Sequence, residues 1–139
     1  MARADADRFT AVVISDDDDL GGLLALNLRR RDMSVEQTDF RLAASPRWCP
    51  ANGRPSVLVI NAEKSTTDPL AFLRVTRDRT WLMSVPIVLA ADNSVAMVAK
   101  FGGTRTLVAT ELDDVGAIVA AALALLPLHR FTPMSSDAT

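Results

Sequence analysis

Four consecutive aspartates, Asp16 to Asp19, follow the apolar run Phe9–Ile14 and Ser15. Carboxylates collected just past the end of a strand are the groups that hold a hard cation, and Mg²⁺ asks for several oxygen ligands around it. A second position with chemical consequence is Asn61, where the continuous apolar run Val57–Ile60 gives way to a polar stretch ending at Asp68. An amide donates and accepts hydrogen bonds, but it brings neither a nucleophilic carboxylate nor a charge for a metal. Asp16 and Asp17 are therefore weak metal candidates. The expectation is that no metal is held and that the aspartates form a solvated turn capping the next helix. Ser15 and Ser65 would need an activating base to act as nucleophiles, and the one histidine, His129, stands far along the chain. His129 and the single Cys49 are the only soft ligands, too few for a structural zinc site. No catalytic residue emerges, and the chain is not expected to be an enzyme.

What must position these residues is an alternation of short strands and helices. Phe9–Ile14 is the first strand. A helix starts near Leu20, and Leu20, Leu23, Leu24 and Leu28 share one face at helical spacing. Asp18 or Asp19 is expected to cap its start, while Arg29, Arg30 and Arg31 suit the negative end of its dipole. Met33–Thr38 is a weaker strand towards a sheet edge and Phe40–Ala44 a short helix, after which Pro46, Pro50 and Gly53 break the chain. Val57–Ile60 has the unbroken apolar character of a strand buried on both faces. Asp68 and Pro69 open a helix whose buried side carries Leu70 and Leu73, with Phe72 and Val75 as further candidates. Pro86–Ala91 is the fourth strand, Val95–Lys100 a short helix ending at Gly102–Gly103, and Thr106–Ala109 the fifth strand. Thr110 and Asp113 resemble a capping box for the last helix, which runs to about Leu126 before Pro127. Trp48 and Trp81 are expected to pack at the periphery of the core.

Strands alternating with helices require right-handed crossovers and a parallel sheet covered on both faces. The expected fold is therefore a doubly wound α/β domain of flavodoxin-like (βα)5 type over residues 9–127, in strand order 2-1-3-4-5. Its second and fourth helices are short or irregular, and residues 1–8 and 128–139 are tails. The composition agrees with a single domain, since 49% of the 139 residues are hydrophobic. With 15 basic and 17 acidic residues there is no basic stripe, and Lys64, Arg74, Arg77 and Arg79 are diluted by Glu63, Asp68 and Asp78. Nucleic acid is not expected as a partner. The longest uncharged apolar stretch, Val115–Leu128, falls short of the roughly 20 residues that span a bilayer. The charged N-terminus lacks an apolar signal core, and a lone cysteine suits a reducing cytoplasm. No membrane association and no cofactor are expected.

Four segments carry a family resemblance: VVISDDDDLGGLL after the first strand, PSVLVINAEKSTTDPLAFL around the third, VPIVLAAD at the fourth and FGGTRTLVATEL at the fifth. From Phe9 to Leu126 the chain resembles a response-regulator receiver domain of the CheY-like kind. The resemblance implies two-component signal transduction, with an aspartate ending the third strand as phosphoacceptor and an acidic pair after the first strand holding Mg²⁺. It also implies a Thr or Ser ending the fourth strand, a Lys ending the fifth and an aromatic switch residue within the fifth. Carried onto this sequence, the phosphoacceptor position is Asn61 and the acidic pair is either Ser15 and Asp16 or Asp16 and Asp17. The Thr/Ser position falls on Ala91, or on Ala90 in a shifted register; the Lys position falls on Ala109 or Thr110, and the aromatic position near Thr106. The segment from Ala91 to Gly102 is also about a helical turn shorter than the family usually has. The chain therefore resembles a pseudo-receiver, and phosphorylation-independent action is expected.

The last helix offers a surface for that action. No charged residue occurs between Asp114 and His129. Val115, Ile118, Val119, Ala122, Leu123 and Leu126 are expected to cover the sheet, leaving Gly116, Ala117, Ala120, Ala121 and Ala124 outside with Leu125 near the far end. Contiguous apolar surface of this kind marks interaction sites, and the family pairs through its own fourth helix, fifth strand and fifth helix. The expectation is a protein partner or a homodimer joined by the last helix. The alternatives are a ligand-binding domain reusing an acidic pocket at Asp16, Asn61 and Ala91, or the receiver half of a transcriptional regulator.

Overall fold

The computed structural model describes residues 9–62, 68–76, 78–91, 107–110 and 115–126. Five strands, β1 (Thr10–Ser15), β2 (Ser34–Thr38), β3 (Val57–Asn61), β4 (Ile87–Ala90) and β5 (Leu107–Thr110), form one parallel sheet in the order β2-β1-β3-β4-β5. The helices are α1 (Asp18–Arg29), α2 (Phe40–Ala44), α3 (Pro69–Thr76) and α4 (Val115–Leu125), with a 3-10 turn at Thr80–Leu82. This is the doubly wound α/β arrangement that the strand-helix alternation predicts. Val95–Lys100, Gly102–Gly103, Thr106, Asp113, Pro127 and both tails lie outside the described residues.

The sheet alternates its side chains between two cores. Ala11, Val13, Val57, Val59, Val88 and Ala90 face α1 and α4, where Leu24, Leu28 and Ile118 complete the packing. Val12, Ile14, Leu58, Ile60, Leu89 and Ala91 face the other way, against Phe40, Phe72 and Trp81. Phe40 and Phe72 meet edge to face at 5.3 Å, which ties α2 to α3. Trp48 and Trp81 do the same at 5.1 Å, so Trp48 packs against the domain as expected. Arg79 donates to the carbonyls of Ser45 and Ala44 at 3.0 and 3.2 Å, at the C-terminal end of α2.

Three sequence expectations are corrected. The cap of α1 is Asp17, whose Oδ1 accepts from the Leu20 N–H at 3.1 Å, rather than Asp18 or Asp19, which ride in the first turn. Leu23 does not belong to the buried face of α1: it is 45% exposed, and Gly21, Leu24, Ala25 and Leu28 turn inward instead. Starting the helix at Asp18 sets its rotation so that Leu24 and Leu28 meet the sheet, and Leu23, a step of about 100° before Leu24, swings out. Val75 is likewise exposed, with Phe72 and Leu73 carrying the buried side of α3; the side chain of Leu70 lies outside the described set.

Two stability measurements check this account by chemical denaturation. Leu24→Ala should cost about 2–5 kcal/mol as a buried truncation, while Leu23→Ala stays within about 0.5 kcal/mol. Asp17→Ala should cost about 1 kcal/mol through loss of the cap, and Asp18→Ala less than that.

Candidate functional site

The carboxyl ends of the strands form a row. Register pairs Ser15 of β1 with Asn61 of β3, Asn61 with Ala90 of β4, and Ala90 with Thr110 of β5. Partners in a parallel register point to the same side, so Asn61 and Ala90 share the face of Val59 and Val88. Ala91, one residue on, joins the opposite core beside Ile60 and Leu89. Asn61 is fully buried and Ser15 nearly so. The row thus sets a serine hydroxyl, an amide and a methyl side by side. Ala109 and Thr110 are placed as β5 backbone only, and Thr106 lies outside the described residues.

The acidic turn above this row is tied into the architecture. The Ser15 hydroxyl accepts from the Asp17 N–H and donates to the Asp17 carbonyl, both at 3.1 Å. That local loop presents the Asp17 carboxylate to the start of α1. Gly21 follows as the close-approach residue: a Cβ there would stand 3.2 Å from the Ser15 Cβ and 3.1 Å from the Gln37 amide nitrogen. Asp16 reaches across to α2, where its Oδ1 accepts from the Phe40 N–H at 3.2 Å. Asp39 caps the same helix by accepting from the Leu42 N–H at 2.7 Å. Asp16 and Asp17 thus have helix starts as partners, and sequence spacing gave no sign of the link from Asp16 to α2. Among the described residues no three His, Cys, Asp or Glu side chains gather as a metal site.

On the other candidate surface, Gly116, Ala117, Ala120 and Ala124 are exposed along α4. Ala121 and Leu125 are corrected: both are half-buried against the core beneath α1 and α4 rather than on the outer side. The eleven-residue α4 is rotated enough that these two positions fall on its flanks. A groove of about 690 Å³ runs between the end of α1 and this helix, with Arg30 and Arg31 on one side and Gly116, Ala120, Leu123 and Ala124 on the other. The cationic wall of this groove depends on α1 and α4 lying side by side, which sequence spacing does not show. No described helix is long and apolar enough to cross a membrane.

No family model and no curated protein matches the sequence. Solved structures do match the fold. The receiver domain of a Francisella response regulator superposes with a TM-score of 0.60 at 15% identity, covering 85% of this chain and 96% of that one. A CheY-like response regulator from Mesorhizobium loti superposes with a TM-score of 0.56 at 12% identity, covering 86% of this chain and 99% of that one. At these identities the likeness is one of architecture, and the architecture is that of a response-regulator receiver domain.

Proposed function

We propose that this chain is a pseudo-receiver: a response-regulator module that works without taking a phosphoryl group and acts through protein contact. The observation that carries this reading is the buried amide of Asn61 at the head of the central strand, with the Ala90 methyl beside it in register. Phosphoryl transfer to a strand end needs a carboxylate to attack phosphorus and cationic or hydroxyl groups to stabilise the transferred oxygens. An amide and a methyl supply neither. The acidic turn does not compensate, since Asp17 caps α1 and Asp16 holds the first N–H of α2. The surface then carries the function: exposed small residues of α4 let a partner helix approach closely, and a second copy is the partner favoured here. A cytoplasmic setting goes with this reading, the one cysteine, Cys49, being free and exposed.

Incubation with acetyl phosphate and Mg²⁺ should add no mass to the intact protein, and beryllofluoride should leave its spectra unchanged. Stoichiometric phosphorylation would sink the reading. Asn61→Asp alone should stay unphosphorylated, because the Thr/Ser position falls on Ala90 or Ala91 and no lysine stands at Ala109 or Thr110; a phosphorylated variant would show that only one residue separates this chain from an active receiver.

A further inference from the structure

The exposed side of α1 bears a pattern that neither the core nor the helix ends explain. Asp19, Leu23, Leu26 and Arg30 stand at i, i+4, i+7 and i+11, so they form one stripe along the helix. All four are exposed, Leu23 by 45% and Leu26 by 43%. An acid at the start and a base at the end suit the helix dipole on their own. Two leucines held in water between them do not follow from that. The order acid, leucine, leucine, base is symmetric in a specific sense. About the midpoint between Leu24 and Ala25, Asp19 reflects onto Arg30 and Leu23 onto Leu26 with charges exchanged.

We propose that α1 pairs antiparallel with α1 of a second copy about a two-fold axis crossing this midpoint. Each Asp19 then meets the partner copy's Arg30, and each Leu23 lies against the partner copy's Leu26. Isologous pairing requires a patch that is complementary to itself, which this charge arrangement provides when the helices run antiparallel and denies when they run parallel. In the parallel arrangement acid would face acid and base would face base. The same axis turns α4, which packs beside α1, towards its own copy. The small side chains Gly116, Ala120 and Ala124 then border the contact, and the groove beside Arg30 and Arg31 is closed by the second molecule. The inference rests on the reading that this layer makes protein contacts, and it names the partner and its orientation.

The test is the assembly state of the full chain by light scattering and sedimentation, with circular dichroism and thermal melts as the folding control. The wild type should dimerise. Asp19→Arg and Arg30→Asp should each weaken dimerisation by roughly tenfold or more, since one substitution turns two symmetry-related attractions into repulsions. The double variant Asp19→Arg with Arg30→Asp should regain dimerisation, because both pairs are restored with sign reversed. An equimolar mixture of the two single variants should form a heterodimer more readily than either variant pairs with itself. A monomeric wild type, or single variants that dimerise as well as the wild type, would overturn the proposal. Dimers that resist every α1 charge variant but dissociate with Ala120→Glu would overturn it too, while leaving protein contact through α4 intact.

Discussion

Everything in this fold answers to a central strand with no access to water. All five residues of β3, Val57 to Asn61, have zero exposure. Backbone groups so buried must find their partners in the neighbouring strands, and β1 and β4 supply them on either side in parallel register. Both faces of the strand must also be covered, which calls for helical layers on both sides of the sheet. The two cores follow from the alternation of Val57 and Val59 with Leu58 and Ile60. Asn61 is the one polar residue in the strand, and it stands where the strand meets the loop layer.

At the polar end of the sheet, carboxylates hold the starts of helices. Asp16, Asp17 and Asp39 each spend carboxylate capacity on a backbone N–H at a helix start. These are the residue types that would bind a cation if several converged on one point, yet here they are dispersed over α1 and α2. Asp16 matters most in this respect, because it spans 24 residues of sequence to join the end of β1 to the second helix.

The sheet is legible in the periodicity of the sequence. The unbroken run at Val57–Ile60, the Asp68–Pro69 helix start and the alternation of strands with helices translate directly into β3, α3 and the strand order. Rotation and register were harder to read. Leu23 and Leu24 are adjacent leucines, and the roll of α1, with Gly21, Ala25 and Leu28 turned inward, decides which of them faces the sheet. Ala90 and Ala91 are adjacent alanines, and only the pairing of β3 with β4 decides which stands beside Asn61. Ala121 and Leu125 fell on the flank of α4 for the same kind of reason, since an alanine-rich helix carries little amphipathic signal to fix its roll. Identical neighbours give sequence reasoning nothing to choose between; helix roll and strand ladders do the choosing.

The tryptophan pair gives the molecule a one-sided optical signal. Trp48 and Trp81 are the only tryptophans, the chain has no tyrosine, and the two indoles touch in the layer of α2 and α3. Near-ultraviolet absorption and emission therefore originate almost wholly on one side of the sheet. Tertiary order in that layer can be followed by light, while events on the α1 and α4 side pass nearly unseen unless they propagate through β3. A change of indole emission on self-association would accordingly be evidence of communication between the two layers rather than of contact at the indoles.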